Sequence, residues 1–200
     1  MQSDLFSLKP VPASTQAELD ARATKKGLLW AAQRFPWVQL TSLSKACDNT
    51  RFQVLSSLKG DLYEKNFVRP LPVITEVNVK KLGELGTTMK TTVKIIAFTD
   101  DQLIELQKCY FIPGMSCRVE WGWNKSANGT QTKGPISFKK DKDDYDAVAI
   151  CRMNNQAKED PTYNGMQGLV ANFSYNLTND NYWECSLEIN SPAESYAQTK

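Results

Sequence analysis

CYFIPGMSCRVEWGW, residues 109–123, decides the class of this fold. Pro113-Gly114 turns the chain, since proline fixes φ and glycine accepts backbone angles that other residues avoid. Beyond the turn, Met115, Cys117, Val119, Trp121 and Trp123 alternate with Ser116, Arg118, Glu120 and Gly122. This period of two predicts a β-strand with one covered face. Glu120 falls on the other face, where a solvated or salt-bridged carboxylate is expected.

Upstream, Thr99-Asp100-Asp101-Gln102 has the form of a capping box and opens a helix with Leu103, Leu106 and Tyr110 on one side. Before it, Met89, Thr91, Val93, Ile95 and Ala97 line one face of a strand, with Ile96 and Phe98 making its far end apolar on both sides. Gly83 and Gly86 bracket a turn from an earlier strand, in which Val73, Val77 and Val79 alternate with polar residues and Ile74 breaks the pattern. Arg69-Pro70-Leu71-Pro72 is a rigid extended entry to that strand. Still earlier, Leu28–Leu43 is dense in aromatic residues, and Pro36 forbids a helix there. Thr15-Gln16-Ala17-Glu18 is a further capping box, opening a short polar helix that Lys25-Lys26-Gly27 closes. Residues 1–12 carry two prolines and no period, which predicts an extended arm.

Downstream, residues 124–142 are polar and rich in lysine, the longest expected loop. Residues 143–157 fit a helix with Tyr145, Val148, Ala149 and Met153 turned inward. Thr162–Gly168 has turn chemistry, and Gly165-Met166-Gln167-Gly168 lacks the spacing of a dinucleotide loop. Two more strands follow: Leu169, Ala171, Phe173, Tyr175 and Leu177, then Trp183, Cys185, Leu187 and Ile189. Asn179-Asp180-Asn181 joins them as a hairpin turn. The order predicts a mainly β (α+β) fold: an antiparallel barrel or sandwich with two to three helices and an N-terminal arm. The expected division is an arm and helix over 1–43, a β domain over 44–192 with its loop and helix at 124–165, and a tail over 193–200 where further sequence is expected.

The 200 residues hold 24 basic and 22 acidic side chains, a near-balance that gives no electrostatic case for a nucleic-acid binder. No stretch approaches the roughly 20 apolar residues of a membrane span, and the start lacks an apolar run of signal-peptide length. Histidine is absent, which removes Ser-His-Asp and Cys-His catalysis and His-ligated zinc. Cys47, Cys109, Cys117, Cys151 and Cys185 are scattered, odd in number and without CxxC spacing. They read as reduced thiols of a protein assembled in cytosol, with no disulfide among them. Cys117, Trp121, Phe173, Cys185 and Leu187 are expected to be buried.

Chemistry-bearing motifs are sparse. Asp141, Asp143, Asp144 and Asp146 lack the glycine and terminal glutamate of a calcium loop. Lys133, Lys139, Lys140 and Lys142 form a basic cluster, diluted by those aspartates, that suits a solvated loop or a partner contact. Glu120 and Glu188 could serve a glycosidase only if about 5 Å apart in a cleft. Exposed Trp121 or Trp183 would suit a β-sandwich carbohydrate-binding module. No catalytic residue, cofactor or metal site is expected, and the chain does not read as an enzyme.

Several runs together resemble a family of bacteriophage virion structural proteins: Arg69–Thr75 (RPLPVIT), Gly83–Gly86 (GELG), Gln102-Leu103, Phe111–Gly114 (FIPG), Glu120–Trp123 (EWGW), Asn164–Tyr175 (NGMQGLVANFSY) and Trp183–Ser186 (WECS). The resemblance covers residues 28–192. It is similar in order to the tube-type domain of tail-tube, tail-tube initiator and baseplate hub proteins. It implies a ring of several copies in the virion tail, other tail and baseplate proteins as partners, and DNA only as passing cargo. Under it, Trp30, Phe35, Trp37, Lys139 and Lys140 become candidates for contacts between subunits.

Overall fold

The computed structural model describes residues 34–47, 52–57, 70–82, 88–125 and 162–191, with Gln16, Ala17, Asp20, Met153 and Asn155. Seven strands are described: β1 (Arg34–Ser42), β2 (Val54–Ser56), β3 (Val73–Leu82), β4 (Thr88–Ala97), β5 (Ser116–Lys125), β6 (Tyr163–Leu177) and β7 (Trp183–Asn190). They form one sheet in the order β2-β1-β5-β6-β7-β4-β3, with every pairing antiparallel. The expectation of a mainly β, antiparallel class therefore holds. The sheet is a curled half-barrel, whose edge strands β2 and β3 touch without being hydrogen-bonded neighbours. β1 lies inside this sheet, on the N-terminal side of the division expected at 43/44.

The last hairpin in sequence is central in space. β6 and β7 turn through Asn181, which takes a positive φ of 59°, as asparagine tolerates. This hairpin inserts between β5 and β4 and joins the β2-β1-β5 half to the β4-β3 half.

Helix α1 (Asp100–Cys109) starts as its capping box dictates. The Thr99 hydroxyl accepts from the Gln102 amide, and Gln102 is fully buried. Its side chain accepts from the Phe98 amide at 2.8 Å and donates to the Pro70 carbonyl at 3.0 Å, tying the helix start to the entry of β3. Leu103, Leu106 and Tyr110 are buried in the core with Leu40, Phe52, Val93, Ile95, Cys117, Val119, Leu187 and Ile189. Tyr110 drives its ring to the bottom of this core, and its hydroxyl meets the carbonyls of Phe52 at 2.7 Å and Gln53 at 2.9 Å.

Five expectations need correction. The core contains a disulfide, Cys47–Cys109, whose Cα atoms lie 5.0 Å apart. Cys117 and Cys185 are free and buried, while Cys151 falls outside the described residues. Gly165-Met166-Gln167-Gly168 is strand, not turn. Its glycines mark close approach: a Cβ on Gly168 would sit 2.3 Å from the Asn190 carbonyl oxygen. Ile74, not Val73, shares the core face of β3, because the register shifts between Ile74 and Glu76. Ile74 packs on the core, while Val73 is exposed. Trp121 and Phe173 are only half-buried, whereas Cys117, Cys185 and Leu187 are buried as expected.

The fifth correction is the second face of β5. Arg118 and Glu120 are wholly buried, so this is not a solvated face. The Tyr163 hydroxyl donates to Glu120 Oε1 at 2.7 Å, and Arg118 Nη2 donates to Gln167 Oε1 at 3.0 Å. Trp37, Met153 and Tyr163 form a small apolar cluster on this side, which helps to keep it dry. Met153 and Asn155 are helical, within the span expected to be a helix, and so are Gln16, Ala17 and Asp20 in the first one.

Candidate assembly surface

The four strands β6-β7-β4-β3 present a ladder of polar side chains on the face away from α1. Directly paired residues share a face. One row therefore reads Asn78, Thr92, Glu188, Asn172, and the next reads Glu76, Lys94, Ser186, Ser174. Lys90 reaches Glu188 at 2.7 Å, and Lys94 reaches Glu76 at 2.6 Å. The Lys94 ammonium is held above its usual pKa by its hydrogen bond to Glu76, then by the charge of that carboxylate, with Glu184 adding a smaller share. Lys80, Lys90 and Lys94 thus stand among Glu76, Glu184 and Glu188, and the charges on this face offset one another.

Both margins of this four-stranded unit are open among the described residues. β3 has a partner only in β4. On the other side, β5 pairs with β6 only as far as Leu169, and Val170 then bonds to Gly114 and Met115 as the chain turns away into α1. Residues 171–177 of β6 consequently have a strand partner on the β7 side alone. Ala171, Asn172, Ser174, Tyr175, Asn176 and Leu177 are exposed. β6 carries no ionisable acid or base other than its tyrosines. Natural edges are commonly blunted by charges, bulges or shortness, and the free half of β6 is neither short nor charged.

A groove of about 460 Å³ runs beside that free edge, between α1 and β6. Its walls include Ile104, Phe111, Ile112, Phe173 and Tyr175, with Lys108 at the rim. Phe111 stacks on Phe173 at 5.5 Å, and Trp183 meets Tyr175 edge-on at 6.0 Å. Ile104, Ile112, Tyr175 and Leu177 are exposed, and the first three line this one groove.

The residues singled out from sequence divide unevenly. Trp37 is buried within its own subunit, 2% exposed, between Tyr163 and the backbone at Gly122. Phe35 lies in β1, opposite Asn124. Trp30, Lys139 and Lys140 lie outside the described residues, as do the arm at 1–12, the Gly83–Gly86 turn and most of the 124–161 excursion. Trp121 and Trp183 both pack on the core, and the Trp183 indole donates to Asp100 Oδ1 at 2.8 Å. Trp123 is exposed. Glu120 and Glu188 pair with Gly165 and Asn172 from opposite sides of the same strand, so at about 3.3 Å per residue they stand roughly 23 Å apart along it. They do not form a catalytic pair. Among the described residues no three acidic or cysteine side chains gather as metal ligands, and no helix is long and apolar enough to cross a membrane. The open edge of β6 was missed in sequence. Its signal was the uncharged run from Tyr163 to Asn179, longer than one hairpin arm needs.

No family model, curated protein or solved structure matches this chain.

Proposed function

We propose that the chain is a structural subunit of a bacteriophage tail: a hub or tube-like ring component of the baseplate, surrounding the channel through which DNA is delivered. The observation that carries this reading is the pair of level open edges. Residues 172–177 of β6 lie across from 188–183 of β7, these from 92–97 of β4, and residues 92–96 of β4 from 78–73 of β3, where the register shifts between Ile74 and Glu76. Alternating directions make β3 antiparallel to β6. A neighbour generated by rotation about an axis along the strands would therefore bring its β6 antiparallel to this β3. Repetition extends one antiparallel sheet around a ring and uses up both open edges, of which the uncharged half of β6 would otherwise invite uncontrolled pairing.

The polar ladder suits the lining of such a channel. Balanced lysines and glutamates give no net positive surface to hold a phosphate backbone, so DNA would pass without being retained. The motif set quoted above supports the same reading independently. The test is labelling of intact particles with gold-tagged antibody against this chain. Label at the tail or baseplate is the expected result, and its confinement to free protein in the lysate would overturn the proposal.

A further inference from the structure

The Cys47–Cys109 disulfide joins the Lys45–Cys47 turn to the last residue of α1, across a sequence separation of 62. Both residues are fully buried. Their neighbourhood is fixed by contacts that do not involve sulfur. The Ser42 hydroxyl donates to the Cys109 carbonyl at 2.6 Å. The Leu43 amide donates to the Ser116 carbonyl at 3.0 Å, and the Cys47 amide to the Ser44 carbonyl at 3.2 Å. The adjacent Tyr110 hydroxyl is anchored on Phe52 and Gln53 from the far side of the same turn. Packing and hydrogen bonds thus hold these two segments to each other through contacts that do not involve the sulfurs.

We propose that the chain folds with both thiols reduced and that Cys47–Cys109 closes afterwards, as an oxidative lock on a finished fold, by exchange with a low-molecular-weight disulfide. One cysteine, as thiolate, attacks a sulfur of the small disulfide, forming a mixed disulfide and releasing one small thiolate. The second cysteine, as thiolate, attacks the protein sulfur of that mixed disulfide, forming the Cys47–Cys109 bond and releasing the other small thiolate. The protein loses two protons and two electrons, and the small disulfide is reduced to two thiols. Entry requires only a local opening. β2 is three residues long and, among the described residues, lies at the sheet edge beside β1, so a local opening there leaves the remaining strands paired.

The lock is selective. Cys117 and Cys185 are the other described thiols, and both sit in the core on central strands. Burial pushes each up to about 12, which leaves little thiolate to compete. The inference stands on the core alone and does not depend on ring assembly.

The test uses the whole chain refolded in excess dithiothreitol and then treated with oxidised glutathione. Before oxidation we expect a native near-ultraviolet circular dichroism spectrum, with Cys47 and Cys109 both alkylated once the protein is denatured. Glutathione should then join Cys47 to Cys109 with loss of two hydrogens, leave no adduct on either, and raise the melting temperature by about 10 °C. The Cys47→Ala/Cys109→Ala chain should keep the same spectrum and should not respond to glutathione. A reduced wild-type chain without the native spectrum would overturn the proposal, because closure would then be part of folding. A stable glutathione adduct on Cys47 or Cys109, or unchanged melting after treatment, would overturn it equally.

Discussion

The Tyr163 hydroxyl and the Glu120 carboxyl, one strand apart, make a 2.7 Å hydrogen bond on a face of the sheet that alternation alone assigns to solvent. Removing this donor takes a hydrogen bond away from a buried carboxyl group. Tyr163→Phe is therefore expected to destabilise the fold by about 1.5–3 kcal/mol, the range for hydrogen bonds to charged groups. Glu120→Gln keeps an acceptor oxygen in place and should cost less. Thermal or urea unfolding of the two variants checks the order.

Stability should fall on the alkaline side. Burial pushes the Cys117 thiol from its ordinary 9.0 up to about 12. Between those values the unfolded chain loses this proton and the folded chain keeps it. The contribution is thus intact below about pH 9 and lost progressively as pH rises to about 12, at about 1.4 kcal/mol per pH unit. Tyr163 adds to the trend above pH 10, since burial, the nearby Glu120 charge and the hydrogen bond to it all hold the phenol above its usual value. Urea midpoints should hold to about pH 9 and decrease from there to about pH 11, with a shallower but not absent fall for Cys117→Ala, because burial raises the Cys185 thiol in the same way.

Two glycines should respond to alanine for different reasons. At Gly168 a Cβ would lie 2.3 Å from the Asn190 carbonyl oxygen and 2.8 Å from Ile189 Cγ2, so β6 and β7 must separate. A loss above about 3 kcal/mol is expected, as for overpacking against rigid backbone. Gly114 faces open space but has a φ of +79°, so Gly114→Ala carries only the left-handed strain of about 1–2 kcal/mol. Chemical denaturation of both variants gives the comparison.

The strands were legible in sequence because alternation reports which side of a pleat each residue takes. Thr91, Val93, Ile95 and Ala97 are buried together on that basis. Alternation does not report whether a second face is covered from elsewhere, which is why Arg118 and Glu120 misled: Trp37 and Met153 come from distant segments. Gly165 and Gly168 read as a turn because glycine signals both a bend and a close approach, and only the neighbour's position separates them. The disulfide was illegible for a similar reason, since nothing local pairs Cys47 with a residue 62 positions away. The open edge of β6 follows from β5 stopping short of it, a matter of register rather than composition.

Edge pairing can be blocked without touching the core. Asn176 is exposed on the free half of β6 and lies opposite Glu184, so Asn176→Lys leaves the isolated subunit near its original stability, within about 0.5 kcal/mol. A lysine on an open edge opposes strand addition. Incorporation into particles should drop at least severalfold in a complementation assay, while the melting temperature of purified protein hardly moves.

Electron cryo-microscopy of the assembled tail tests the central claim most directly. The account predicts a ring in which β3 of each copy pairs antiparallel with residues 172–177 of the next copy's β6, giving one continuous sheet with the Glu76–Lys94 row facing the channel. A tail in which no density fits this fold, or in which both edges remain unpaired within the ring, would contradict it.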